Sequence, residues 1–214
     1  MKKAVVFDLD GTLINSLPDI SAAMNRSLRK FGLPEFEEDA YKFKVGNGVI
    51  KLTERSVGER TDKMDDVLHT YMEDYAQNCR IASYAYPGVA EMLQALVARG
   101  MHVCVLSNKD QADTESVMSY YFPAVRFSVI RGRVPGVPLK PDPAPALLIA
   151  RALAVDPADC WYVGDTATDM NCGNAAGMET VGVLWGFRPR EELTAGGAQH
   201  LITEPREFLE LVDA

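Results

Sequence analysis

Four carboxylates, one lysine and one serine–asparagine pair stand where this sequence could do chemistry. The stretch Phe7-Asp8-Leu9-Asp10-Gly11-Thr12-Leu13 follows a short apolar run. In an extended chain, residues i and i+2 share a face. Asp8 and Asp10 therefore point the same way, with Leu9 opposite, and Gly11 lets the chain turn at once. Two carboxylates facing one spot repel unless a cation or a shared proton joins them. A hard divalent cation such as Mg²⁺, which prefers oxygen ligands, is the simplest answer; a solvated acidic turn is the plain alternative. Three further places are comparable. The run Val103 to Leu106 ends in Ser107-Asn108, and Lys140 sits in the proline-stiffened Leu139-Lys140-Pro141-Asp142-Pro143. Trp161 to Val163 ends in Gly164-Asp165-Thr166-Ala167-Thr168-Asp169. Each has a plain reading alone: Ser107 caps a helix, Lys140 is solvated, and Asp165 and Asp169 form an acidic helix N-terminus favoured by the dipole. Their chain order at successive strand ends sets them apart, because ligands of α/β sheets sit outside the carboxyl ends of the strands.

The elements that must hold these residues are legible as patterns. Ala4 to Phe7, Val103 to Leu106, Trp161 to Val163 and Thr180 to Leu184 are short, nearly continuous apolar runs, which predicts parallel strands covered on both faces. Phe127 to Ile130 and His200 to Ile202 are weaker strand candidates. Helices are predicted over Val89 to Arg99, Ala144 to Leu153, Asp169 to Ala176 and Pro205 to Val212, several stopped by a glycine. Arg131 to Pro145 holds five prolines and reads as a loop before a late helix start. Alternation from about residue 83 onward implies an α/β sheet with right-handed crossovers. Residues 15–82 break that rhythm. They carry no strand run and read as helices over Ser16 to Phe31, Glu38 to Lys42, Val49 to Val57 and Asp62 to Cys79. Ser16 with Asp19 resembles a capping box, and Ile20, Met24, Leu28 and Phe31 form its apolar stripe. The expected organisation is an α/β core, Rossmann-like with a parallel sheet, from residues 1–14 and 83–214, interrupted by an all-helical domain at 15–82.

Composition sets bounds. The 214 residues carry a formal charge of −8, which argues against a broad grip on nucleic acid or an anionic membrane. A local cluster of donors could still hold a small phosphorylated molecule. No apolar stretch predicts a leader or a membrane span. Cys79, Cys104, Cys160 and Cys172 form no CxxC pair, as expected of buried thiols in a reducing, cytoplasmic setting. His69, His102 and His200 form no cluster, and no GxGxxG follows the first run, which excludes simple nicotinamide binding.

Taken in order, Asp8-x-Asp10-Gly-Thr, Ser107, Lys140 and Gly164-Asp165-x₃-Asp169 resemble the haloacid dehalogenase superfamily of phosphohydrolases, across the whole chain. Leu17-Pro18-Asp19-Ile20, Val45-Gly46-Asn47-Gly48 and Gly182-Val183-Leu184-Trp185-Gly186-Phe187-Arg188 bring it nearest to phosphoglycolate phosphatases and their relatives. Asn15 stands where many members have Asp. The resemblance implies that Asp8 is a nucleophile, that Asp10 is an acid/base, and that Ser107, Asn108 and Lys140 hold phosphoryl oxygens. It implies Mg²⁺ on Asp8, Asp10 (through its carbonyl) and Asp165, with Asp169 and Thr12 in support. It implies that 15–82 is a cap domain closing over the site. The implied activity is hydrolysis of a small phosphomonoester through an aspartyl-phosphate, 2-phosphoglycolate above all, by a monomer or homodimer. A β-phosphoglucomutase, nucleotidase or pyrophosphatase, or a non-catalytic binding protein, are the alternatives. A true dehalogenase needs neither the second aspartate nor Mg²⁺, so Asp10 and Asp165 speak against it.

The cap is net −2, yet Lys44 to Arg55 is locally +2. A basic loop with two glycines could face the cleft and bind a substrate carboxylate, or be an ordinary solvated helix face. Lys44, Gly46, Asn47, Gly48 and Arg55 are the candidates there.

Overall fold

A computed structural model describes residues 2–214. Its elements run β1 (Ala4–Phe7), β2 (Ile14–Asn15), α1 (Leu17–Lys30), α2 (Glu38–Tyr41), α3 (Gly48–Val57), α4 (Met64–Asn78), β3 (Tyr84–Ala85) and α5 (Val89–Ala98). They continue β4 (His102–Asp110), α6 (Gln111–Tyr121), β5 (Val129–Arg133), α7 (Ala144–Leu153), β6 (Cys160–Gly164), α8 (Ala167–Ala175), β7 (Glu179–Val183), α9 (Arg190–Ala195), β8 (His200–Ile202) and α10 (Pro205–Asp213). Six strands form a parallel sheet in the order β5-β4-β1-β6-β7-β8.

Both faces of the sheet are covered, as continuous apolar runs require. Val5, Phe7, Val103, Val105, Trp161 and Val163 pack on one face with Leu93 of α5 and Phe208 of α10. Ala4, Val6, Cys104, Leu106, Cys160 and Tyr162 pack on the other with Ile149 of α7 and Cys172 of α8. The alternation of Ala4/Val6 against Val5/Phe7 is the pleat itself. Helices α6 and α9 carry no clear apolar stripe and escape sequence reading; in α6 only Thr114, Val117 and Met118 are buried. Strand β4 runs on through Ser107 to Asp110, past the apolar run that marks it, with an irregular register after Leu106. Among the described residues, no helix is long and apolar enough to cross a membrane.

Helices α1–α4 lie between β1 and the rest of the sheet in chain order, joined to it by a two-stranded ribbon absent from the sequence expectation. Ile14 pairs with Ala85 and Asn15 with Tyr84. The stripe Ile20, Met24 and Leu28 is buried, while Phe31 is only partly so. The expected Ser16–Asp19 capping box does not form. Ser16 makes no side-chain cap and its buried hydroxyl has no partner. Asp19 instead turns to the returning chain and accepts the N–H groups of Ile81, Ala82 and Ser83 at 3.0, 2.9 and 2.9 Å. Three donors outbid one local cap, and the carboxylate ties the outgoing and returning chains together. Asp19→Ala should lower the urea unfolding midpoint by the equivalent of about 1–3 kcal/mol, the penalty for orphaned polar groups. An unchanged midpoint would mean that water replaces the carboxylate without loss.

Candidate active site

The carboxyl ends of β1, β4 and β6 meet the loop before α7, and each brings one group. Asp8 follows β1, its N–H bonded to Val163 O at 2.9 Å. Lys140 arrives from the proline-rich loop with only 3% of its side chain exposed. Its Nζ donates to Asp8 Oδ1 at 2.5 Å, Asp169 Oδ1 at 2.8 Å and Leu106 O at 3.0 Å. An ammonium has three donors, so this lysine is saturated. Burial pulls its affinity for the proton down, but the charges of Asp169 and Asp8 outweigh that and raise it.

Asp169 holds the lysine from a fixed base. Its Oδ2 accepts from Thr166 N at 3.1 Å and Thr166 Oγ1 at 2.6 Å, while Thr166 caps α8 in return. This capping box is the one that does form. Asp165, fully buried, accepts from Phe187 N at 2.8 Å and from Thr12 Oγ1 at 3.3 Å. One carboxylate oxygen from each of Asp8, Asp165 and Asp169 lies within 4.8 Å of the others. Burial, then the Asp169 charge, pushes the Asp8 carboxyl up to about 7, against the pull of Lys140. Burial, then Asp8, lifts Asp165 well above its usual range. One lysine does not neutralise three buried acids. The set is all oxygen, closely spaced and short of positive charge, which fits a small hard divalent cation such as Mg²⁺.

Gly11 makes the turn after Asp10 possible. Its φ is +92°, and a Cβ there would lie 2.3 Å from Asp165 Oδ2. Gly11→Ala should therefore destabilise the fold by at least the ~1–2 kcal/mol of a left-handed L-residue and displace Asp165. A urea titration showing wild-type stability would contradict this.

The other predicted residues divide. Ser107 is buried at the cleft and accepts Lys109 N at 3.1 Å. Asn108 also lines the cleft, but its side chain is committed elsewhere. Its Nδ2 donates to Gly46 O at 3.0 Å and Lys140 O at 3.1 Å, and its Oδ1 accepts Lys140 N at 2.9 Å. With both amide donors used, its side chain buttresses the Lys140 loop. Gly46 and Gly48 line the cleft; Lys44, Asn47 and Arg55 do not. Lys44 donates to Arg55 O at 2.7 Å and lies 3.9 Å over the Phe36 ring. Arg55 is exposed and donates to Lys44 O and Asn47 Oδ1, at 2.9 and 2.7 Å. Asn47 reaches Thr168 Oγ1 across to α8 at 3.3 Å. The basic loop thus satisfies its own carbonyls. Ile20, Val45, Val49, Leu52, Tyr71, Met72 and Tyr75 line the cleft together with Asp8.

Sequence reading passes over Lys109, which faces Asp10 at 3.0 Å, and Tyr75, whose hydroxyl it meets at 2.8 Å. The signal was adjacency: Lys109 directly follows Ser107-Asn108, and Tyr71 and Tyr75 share a face of α4 at i, i+4.

The model of the family "haloacid dehalogenase-like hydrolase" matches residues 5–183. The chain belongs to the haloacid dehalogenase-like hydrolases. Its curated relatives in this family include a phosphoglycolate phosphatase of Rhodospirillum rubrum, 33% identical over 92% of this chain and 86% of that protein. An N-acetylmuramic acid 6-phosphate phosphatase of Pseudomonas aeruginosa is 29% identical over 99% of this chain and 95% of that one. A crystal structure described as a predicted phosphoglycolate phosphatase from Haemophilus somnus has a TM-score of 0.92 at 26% identity, covering 99% of this chain and 98% of the other. The protein is a hydrolase of the phosphatase branch of this family.

Proposed function

We propose that this haloacid dehalogenase-like hydrolase is a Mg²⁺-dependent phosphatase of a small phosphomonoester, with residues 15–82 acting as a cap over a core of 1–14 and 83–214. The observation that carries the reading is the Asp8–Lys140–Asp169 arrangement beside Asp165. Asp8 attacks phosphorus; its Oδ–P bond forms as the ester P–O bond breaks, and the leaving alkoxide takes a proton from Asp10. Asp10 then removes a proton from the water that attacks the aspartyl-phosphate, releasing inorganic phosphate and restoring the Asp8 carboxylate. Ser107 steadies a phosphoryl oxygen, and Lys140, its three donors engaged, offsets the developing charge from beside Asp8, where Asp169 keeps it. Asp8, Asp165 and the Asp10 carbonyl would hold Mg²⁺, which would supply positive charge against the anionic ester. Asp169 is within reach of the same spot but is engaged with Lys140 and Thr166.

The leading substrate is 2-phosphoglycolate. The phosphoglycolate phosphatase of Rhodospirillum rubrum, 33% identical over 92% of this chain, supports that choice. A sugar phosphate of the kind named for the Pseudomonas relative is the second reading. It is favoured by the apolar, aromatic wall and by the turning away of Lys44 and Arg55, which leaves a glycolate carboxylate no cap cation. Free, buried cysteines accord with a cytoplasmic setting.

The test is phosphate release from a panel that includes 2-phosphoglycolate, N-acetylmuramic acid 6-phosphate, hexose phosphates, a nucleoside monophosphate and p-nitrophenyl phosphate, each with and without Mg²⁺. Mg²⁺-dependent release with one ester preferred supports the reading. No release from any of them rejects it, and phosphoryl transfer without release would mark a mutase.

A further inference from the structure

Lys109 has no part in the chemistry above, yet it stands between Asp10 and Tyr75 of the helical insertion. Only 8% of its side chain is exposed. Its Nζ lies 3.0 Å from Asp10 Oδ1 and 2.8 Å from the hydroxyl of Tyr75 on α4, and 4.6 Å from the centroid of that ring. Tyr75 is 2% exposed and stacks on Tyr71 at 5.4 Å, so its hydroxyl is held firmly. Lys109 itself is fixed at the root, since its N–H is bonded to Ser107 Oγ and it belongs to β4.

We propose that Lys109 is a positioning residue that links α4 of the cap to the Asp10 carboxylate through Tyr75. The inference rests on the acid/base reading of Asp10. Asp10 follows β1 on a glycine turn, and its Oδ1 has no hydrogen-bond partner, Lys109 meeting it as an ion pair at 3.0 Å. Of its two oxygens, Oδ1 is buried and faces Lys109. The ion pair therefore sets where this carboxylate points. The other end of the same ammonium is on the insertion, so Asp10 is held at its working angle when α4 lies over the sheet. When α4 swings away, the tyrosine leaves and the lysine is free to follow solvent or to turn on Asp10 alone. Proton transfer to the leaving group is thereby tied to closure through the Asp10 carboxylate.

The experiment is a kinetic cycle on the full chain, using the best ester of the panel. Lys109→Met should lower kcat by about 10- to 100-fold, the scale of a misplaced catalytic group, with KM changed little. Asp10→Ala should lower kcat by about 10²–10⁴-fold. Adding Lys109→Met to Asp10→Ala should change nothing further, because the lysine acts only through that carboxylate. Tyr75→Phe should lower kcat in the same direction and add nothing to Lys109→Met. Independent, multiplying losses overturn the proposal, as does a Lys109→Met variant that raises KM alone, which would make the lysine a substrate ligand. An Asp10→Ala variant of wild-type activity refutes the acid/base reading instead. If Lys109→Met does not fold, as judged by circular dichroism, Lys109→Gln carries the same cycle.

Discussion

Asp8→Asn should abolish turnover, by a factor on the order of 10⁵–10⁶, the scale of removing a covalent nucleophile, while the protein stays folded. An amide oxygen is a far poorer nucleophile than a carboxylate, and no other carboxylate follows β1 at the same depth beside Lys140. The substitution keeps the shape of the side chain and an oxygen that can accept from Lys140 Nζ. It also removes one of three acids whose oxygens crowd within 4.8 Å. The metal-free variant should therefore unfold at a higher temperature than the metal-free parent, with activity gone. Retained activity would move the nucleophile elsewhere. A collapse in the unfolding temperature would show that the Asp8–Lys140 pair, rather than the repulsion among the acids, dominates the energy of the cluster.

Removal of divalent metal should abolish turnover as completely, and Mg²⁺ should restore it. The binding also has a signature independent of catalysis. Mg²⁺ at about 100 times its Kd stabilises the folded state by about 2.7 kcal/mol, or about 5–10 °C in Tm at this chain length. The sign of the pH dependence follows from Asp8, whose carboxyl is raised from 3.8 to about 7 in the fold. A raised carboxyl stabilises the metal-free fold fully below its unfolded value, and that contribution is lost as pH rises through about 7. Protons and Mg²⁺ compete for the same oxygens. The Mg²⁺-induced rise in Tm should thus be larger at pH 8 than at pH 5.5. Equal shifts at both pH values, or none, would place the metal away from Asp8.

The core of the site is legible in sequence because strand geometry does the placing. Asp8, Ser107 and Asp165 each come directly after an apolar run, and parallel strands deliver their ends to one edge. Lys140 is legible through the prolines around it. What escapes is everything fixed by contacts across the chain. Ser16 and Asp19 carry the spacing of a capping box, but Asp19 answers to three N–H groups more than 60 residues away. Lys44 and Arg55 look like a substrate clamp by charge alone, yet nearby carbonyls claim them first. The side-chain partners of Asn108, Gly46 and Lys140, lie too far along the chain to be read. Lys109 is visible as a residue but not as a bridge, because Tyr75 is distant in sequence. Helix α6 is missed for a different reason: most of it faces solvent, so burial writes little periodicity into it.

The place of β1 in the middle of the sheet has a consequence for synthesis. Ala4 pairs with His102 on one side and Cys160 on the other, so β1 has no complete berth until β6, more than 150 residues later, has left the ribosome. Helices α1 to α4 make local contacts and can assemble earlier, since nearby contacts close fastest. In that interval the apolar run Ala4–Phe7 waits uncovered, the kind of segment that pairs with its like in a neighbouring chain. Lys2 and Lys3 precede it and Asp8 and Asp10 follow it, and charges flanking an apolar strand resist such pairing. The carboxylates proposed to work on phosphorus therefore serve first as gatekeepers of a nascent strand. The chain that carries Asp8→Asn gives up one of those charges before it ever meets a substrate.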